Sequence, residues 1–149
     1  MTVSVCITHE GSSATFSQTM FENQVSYVLE NFQVDKIYII CEDEECPILA
    51  NNIFNKIPYQ IISAYSSITE TITYITPPTA RNVVGDVNLK TYNHPADNVC
   101  YVIGPNDGDM VSDIAGDKVF IETSSNLQMY NWVALAITLY DRDCKHGNS

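Results

Sequence analysis

The segment YVIGPNDGD, Tyr101–Asp109, passes from sheet-forming residues into a turn crowded with Gly, Pro, Asn and Asp. The run VCYVIG, 99–104, predicts a strand that ends in this small-residue loop. Gly104 permits backbone conformations that other residues resist, and Pro105 stiffens the turn. Exposed backbone amides beyond them can bond a ligand, but the same residues also make an ordinary turn. The segment alone leaves both interpretations open.

Around this segment, strand and helix signals alternate along the chain, which predicts an α/β fold with a parallel sheet flanked by helices. The run KIYIIC is apolar on both faces, as is typical of a parallel strand covered by helices. The predicted strands are VSVCIT (3–8), KIYIIC (36–41), YQIISAY (59–65), TITYIT (71–76), VCYVIG (99–104) and KVFIET (118–123).

Helical spacing of apolar residues predicts an amphipathic helix over 20–32, and Pro47 favours the start of a short helix within 46–57. The segment 79–95 is expected to be an irregular or partly helical connection. The last predicted helix, 128–142, is apolar almost all round from Trp132 to Tyr140. Such a helix must be covered on nearly every face, by its own domain or by a second subunit.

The composition predicts one ordered domain spanning residues 1–149, because hydrophobic residues make up 45% and charged residues 17% of the chain. No segment has the length and hydrophobicity of a membrane span or an export signal, so a cytoplasmic location is expected. Four of the five cysteines sit in or beside apolar strand-like or helical runs, where buried, reduced thiols are expected. Cys41 and Cys46 lack a matching pair at zinc-site spacing, so no metal is expected.

The charge balance disfavours a monomer that grips a nucleic-acid backbone, since 7 basic residues stand against 18 acidic ones and the net charge is -11. The same acidity also has the simple effect of keeping a small protein in solution. The basic residues do not cluster in sequence, although folding can gather some of them: Lys36, Lys56, Arg81, Lys90, Lys118, Arg142 and Lys145.

The turn after Ile103 is placed at the carboxyl end of a central parallel strand, where open α/β sheets bind small ligands. Three segments, in order, resemble the SpoU/TrmH branch of the SPOUT superfamily, the knotted S-adenosylmethionine-dependent RNA methyltransferases. They are NFQVDKIYII (31–40), YVIGPNDGD (101–109) and FIETSSNLQMYNWVALAITLYD (120–141). The resemblance spans nearly the whole chain.

The resemblance implies a SPOUT-like fold with a deep trefoil knot in roughly the last third of the chain, and a homodimer built partly from the terminal helix. It also implies binding of S-adenosylmethionine at the knot, largely through backbone groups. The residues at the matching cofactor positions are Ile75, Thr76, Gly104, Pro105, Ile121, Gln128 and Met129. As ends of strands, these residues also have a purely structural interpretation.

The catalytic positions depart from the family. The Arg of its early helix falls on Tyr27, and the Glu that follows Gly-Pro in the family is Asn106 here. Asn106 keeps hydrogen-bonding capacity but cannot act as a carboxylate base. Arg81 is the best replacement cation, although a solvated loop position is the more common state of such a residue. His9 beside Glu10 is a weaker acid-base candidate.

Three functions therefore stay open. The first is a methyltransferase acting on RNA, most plausibly tRNA, of the ribose 2'-O type and with altered catalytic residues. The second is a catalytically degenerate protein that binds S-adenosylmethionine, S-adenosylhomocysteine or a protein partner. The third is an enzyme that consumes the cofactor itself, which suits the acidic surface because no polyanion need be bound.

Overall fold

A computed structural model describes residues 2–8, 18–40, 57–76, 87–103, 115–125, 129 and 131–146. These residues form seven strands, two α-helices and two short 3-10 turns, at Tyr65–Ser67 and Leu89–Thr91. The strands are β1 (Val3–Thr8), β2 (Lys36–Ile40), β3 (Tyr59–Ile62), β4 (Thr71–Thr76), β5 (Val87–Asn88), β6 (Val99–Ile103) and β7 (Asp117–Phe120). The helices are α1 (Gln18–Glu30) and α2 (Asn131–His146).

The strands form one sheet in the order β3-β2-β1-β6-β4-β7-β5, and every strand pair in it is parallel. The predicted α/β class and parallel sheet are thereby confirmed. Strand β6 lies between β1 and β4, with Val5 opposite Tyr101 and Thr73 opposite Tyr101 on its other side. All five residues of β6 are buried, as expected for a central strand with both faces covered.

Alternation along the strands sends side chains to two separate cores. On the first face, strand residues such as Val5 and Tyr101 pack with α1 and α2, which contribute Leu29 and Leu135 to the same cluster. The second face carries its own buried cluster: Cys6, Tyr38, Ile40, Ile62, Ile68, Ile72, Tyr74, Cys100 and Val102. The helices therefore meet the sheet on the face that also carries Val99, Tyr101 and Ile103.

The predicted strands are all present, with differences at the ends of β3 and β7 and one additional strand. Strand β3 stops at Ile62, because the Ser- and Ala-rich residues after it turn into the 3-10 turn, where Ser67 N–H donates to Ala64 O at 3.1 Å. Strand β5 is new: its two residues pair with β7, too short a run for a period-2 pattern to reveal. The short helix predicted within 46–57 falls almost wholly outside the described residues.

The two helices are confirmed, and neither has the length and hydrophobicity to span a bilayer within the described part of the chain.

Of the predicted buried thiols, Cys6 and Cys100 are fully buried, and burial raises the pKa of both. The expectation is wrong for Cys144, which lies on the exposed side of α2. Cys41 and Cys46 lie outside the described residues.

Gly116, just before β7, sits where the chain passes closest to β4. Its φ is 108°, in the region that only glycine adopts without strain, and a Cβ added there would lie 2.2 Å from the carbonyl oxygen of Ile72. No backbone carbonyl can move aside for a methyl group without disturbing the β4 ladder. Glycine is therefore required for the entry into β7.

Replacement Gly116→Ala is expected to lower the free energy of unfolding by about 3 kcal/mol, since it combines a strained φ with a clash against backbone. Urea denaturation followed by far-UV circular dichroism measures the loss. The matched control is the exposed neighbour in Ala115→Ser, expected to change stability by less than about 0.5 kcal/mol. Equal stability of Gly116→Ala and the wild type would contradict the close approach to Ile72.

Candidate functional site

The carboxyl ends of β4, β6 and β7 meet at one edge of the sheet. Ile75 pairs with Ile103 across β4 and β6, and Thr76 pairs with Phe120 across β4 and β7. Ile121 follows Phe120 directly. Ile75, Ile103 and Ile121 are all buried in the same hydrophobic cluster. The structure therefore brings together three of the strand ends that the sequence analysis assigned to ligand binding.

Met129 and the start of α2 adjoin this edge. Met129 is partly buried and packs against the cluster that holds Ile75, Ile103 and Ile121. Two residues later α2 begins at Asn131, and Trp132 is buried in that same cluster. The last turns of α2 hydrogen-bond to residues that precede β6, near the amino end of that strand. The first turn of α2 lies about 15 Å away along the helix axis, and therefore towards the carboxyl ends of the strands.

Several predicted site residues lie outside the described residues: Arg81, Gly104, Pro105, Asn106 and Gln128. His9 and Glu10 lie outside them too. Gly104 follows Ile103, the last residue of the buried central strand, directly in the chain. The cofactor positions that the structure does describe are Ile75, Thr76, Ile121 and Met129. These four converge on one edge, although they come from three separate stretches of sequence.

Chemically, the described part of this edge is an apolar floor with backbone polar groups at the strand ends. Pockets for small molecules have this make-up, with a few polar groups that fix the ligand's orientation. The sequence analysis overlooked Glu122, which follows Ile121 and places an exposed carboxylate at the same edge. Its only signal in the sequence is its position after the apolar run KVFI. Among the described residues, no three His, Cys, Asp or Glu side chains group to hold a metal ion.

A first buried polar network ties the segment around the 3-10 turn Leu89–Thr91 to the sheet. Tyr92 donates its single hydroxyl proton to Asp117 Oδ2 at 2.9 Å, because a carboxylate can only accept. The 2.8 Å contact between Thr73 Oγ1 and the Tyr92 hydroxyl must then run from Thr73 to Tyr92. Burial raises the pKa of Tyr92, so the hydroxyl stays protonated. Thr73 and Asp117 are register partners, so this network clamps β4 to β7.

A second network fixes the C-terminal half of α2. The Arg142 guanidinium donates to Pro95 O at 2.6 Å, to Ala96 O at 3.0 Å and to the Tyr101 hydroxyl at 3.1 Å. Lys145 donates to Leu89 O and, at 2.9 Å, to Tyr92 O, and pairs with Asp141 at 2.8 Å. Both cations thus satisfy carbonyl groups of the segment that leads into β6, and they hold α2 in place.

The sequence analysis did not find this network. It counted Arg142 and Lys145 among the cations open to a partner, whereas Arg142 is buried and both bind backbone carbonyls within the fold. His94, the residue before Pro95, is buried at the centre of the same network. Of these contacts, only the ion pair between Asp141 and Lys145, one helical turn apart, could be recognised from spacing in the sequence.

Comparisons with known proteins bear on the fold. No protein-family model matches the sequence, and no curated protein matches it. The structure is similar to the crystal structure of an rRNA methyltransferase from Sinorhizobium meliloti, with a TM-score of 0.70 and 12% sequence identity. The similarity covers 99% of this chain and 57% of that one, so this chain spans little more than half its length. The chain therefore has an α/β fold shared with part of that methyltransferase.

Proposed function

We propose that residues 1–149 form a SPOUT-like methyltransferase domain that binds S-adenosylmethionine at the carboxyl edge of β4, β6 and β7 and transfers its methyl group to RNA. The convergence of Ile75, Ile103 and Ile121 on one apolar floor beside the start of α2 carries the proposal. Its site is the one at which open parallel sheets hold ligands. The fold likeness to an rRNA methyltransferase supports the same class of reaction.

In the proposed pocket, the apolar floor receives the flat adenine ring and the backbone at the strand ends bonds its edge. Thr76, Gly104 and Pro105 form the walls after β4 and β6, and Gln128 with Met129 closes the pocket at the start of α2. Gly104 lets the ligand approach the backbone, because no Cβ stands in the way.

Catalysis in this proposal falls to residues that differ from the SPOUT pattern. Arg81 supplies the positive charge beside the reacting 2'-hydroxyl, and Asn106 orients that hydroxyl by hydrogen bonding. Tyr27 stands at the position of the family's Arg and is 63% exposed on α1, so α1 brings no cation there. Glu122, an exposed carboxylate, follows directly after Ile121.

A knot and a homodimer belong to the proposed architecture. The late strand β6 lies between β1 and β4, and β7 lies between β4 and β5, an insertion order that suits a knotted chain. On α2, Val133 and Tyr140 lie two helical turns apart and are 38% and 64% exposed, while Ile137 between them is partly buried against the core. An exposed apolar stripe of this kind is typical of an interface between subunits.

A second candidate function, binding or consumption of the cofactor without RNA, is favoured by the charges. The net charge is -11, and Arg142 and Lys145 are already bonded to carbonyls within the fold. The phosphate charge of a bound RNA must therefore be neutralised by the remaining cations or by those of a second subunit. This candidate uses the same pocket as the first but transfers no methyl group to RNA.

The pocket is tested by calorimetric titration with S-adenosylhomocysteine. The wild type is expected to bind, and Gly104→Val to lose at least roughly tenfold in affinity, about 1.4 kcal/mol, because its side chain occupies ligand space. Lys90→Met, on an exposed lysine of the 3-10 turn, serves as the control and should bind like the wild type. No heat from the wild type at high ligand concentration removes the methyl-donor proposal altogether.

The reaction is tested by transfer of labelled methyl groups into tRNA and, separately, into rRNA fragments. Arg81→Ala is expected to lower the rate by roughly a hundredfold, since it removes a charge that acts in the transition state. Lys90→Ala is the matched loss of an exposed cation. Methylation at an unchanged rate in Arg81→Ala places the catalytic cation elsewhere. Cofactor decay without RNA, with no label in either RNA, selects the second candidate.

The dimer is tested by sedimentation velocity. Tyr140→Glu is expected to convert the dimer to monomer, because it places a charge at the most exposed residue of the α2 stripe. Tyr59→Glu is the matched control, since Tyr59 is 43% exposed on edge strand β3 and lies away from α2. A wild type that sediments as a monomer at micromolar concentration rules out this interface.

A further inference from the structure

We propose that His94 is a proton-sensitive lock on the C-terminal half of α2. In its neutral form the imidazole joins α2 to β6, and protonation of the ring opens this junction. The lock lies at the end of α2 remote from the carboxyl edge of the sheet, and it does not depend on the proposed methyltransferase function. It follows from the hydrogen-bond pattern around a single buried ring.

The His94 side chain is fully buried and both ring nitrogens are engaged. Nδ1 lies 2.7 Å from the Tyr101 hydroxyl of β6, and Nε2 lies 2.7 Å from Asp141 Oδ2 of α2. The ring also packs edge-on against Tyr92, with centroids 5.0 Å apart. His94 therefore bridges three parts of the fold: the segment before β6, the strand itself and the terminal helix.

The partners determine the tautomer. Asp141 only accepts, so Nε2 carries the proton and donates to it. The Tyr101 oxygen already accepts from Arg142 at 3.1 Å, and its own proton needs an acceptor, which Nδ1 provides. Burial raises the pKa of Tyr101 to about 12, so that proton is present throughout the neutral range. Every hydrogen bond of this set is satisfied when His94 is neutral.

A second proton on His94 breaks the pattern. Nδ1–H would then point at the Tyr101 oxygen, and the tyrosine proton would lose its acceptor in a buried site, at a cost comparable to a lost hydrogen bond. The new positive charge would also join two cations already present on α2. The titratable and charged groups around the ring in the described structure are Asp141, Arg142, Lys145 and His146 of α2, Tyr101 of β6, and Tyr92.

The electrostatics agree in direction. Burial lowers the pKa of His94 below its ordinary value of 6.5, and this outweighs the opposing pull of Asp141, while Lys145 and Arg142 lower it further. A histidine whose pKa is depressed in the folded state binds its proton more readily when the segment opens. Its stabilising contribution is complete above about pH 6.5 and is lost as the pH falls below that value.

Opening of the lock would act on the whole C-terminal anchor. His146 contacts the same residue from the next turn of α2, through a hydrogen bond between its Nε2 and His94 O at 3.0 Å. Arg142 holds Pro95 and Ala96, the two residues directly after His94. A shift of His94 therefore disturbs several contacts of α2 together, so the release is expected to be cooperative.

Two measurements test the lock in the chain of residues 1–149. Proton NMR follows the imidazoles of the wild type, where we expect the His94 resonance to titrate below the ordinary value of 6.5. Amide hydrogen exchange follows residues 138–146, where protection corrected for the intrinsic rate should fall roughly tenfold between pH 7.5 and pH 5. His94→Gln, which cannot titrate, should show constant protection over that range.

His146→Gln is the matched control, because it removes the imidazole that contacts His94 O from the same helix end and should keep the fall in protection. Three results would each overturn the lock: native His94 titrating at or above 6.5, a fall in protection that persists in His94→Gln, or one abolished by His146→Gln. If His94→Gln does not fold, the wild-type NMR titration still decides, since it requires no variant.

Discussion

The rest of the structure depends on the burial of β6 between β1 and β4. Its five residues are 0% or 1% exposed, and they hydrogen-bond to an earlier strand on each side. A strand in this position must be apolar on both faces, and its ends must lie at the two edges of the sheet. The chain continues to Gly104 from one end of β6, and the segment that carries His94 leads into the other end.

Helix α2 connects these two edges. Its first turn packs with Met129 beside the ends of β4, β6 and β7, while Arg142 and Lys145 bind carbonyls of the segment that precedes β6. Because a helix is stiff, the polar contacts at one end help to hold the apolar contacts at the other. The buried polar groups of this protein thus stabilise the scaffold, and the candidate ligand site is mostly apolar where it is described.

Much of the fold could be predicted, because the spacing of apolar residues in a strongly periodic run indicates which of its faces are buried. TITYIT and KIYIIC were predicted as strands with nearly the observed bounds, since β-branched and aromatic runs fit a pleated, buried surface. Strand β5 was missed, as two residues carry no period. Ile75 and Ile121 were proposed as cofactor positions from the family resemblance. The structure places the ends of β4 and β7 side by side, because neighbouring parallel strands end at the same edge of a sheet.

The sequence by itself determined the α/β class, the apolar central strand and the amphipathic helices, because these follow from the spacing of apolar residues. Only the tertiary structure decided what the polar residues do. Arg142 lies 46 residues from Ala96 and His94 lies 47 residues from Asp141, and no local pattern pairs groups at that distance. A charged residue in a sequence is by default expected at the solvated surface. Where its side chain is instead buried and hydrogen-bonded to carbonyl oxygens, it stabilises the fold.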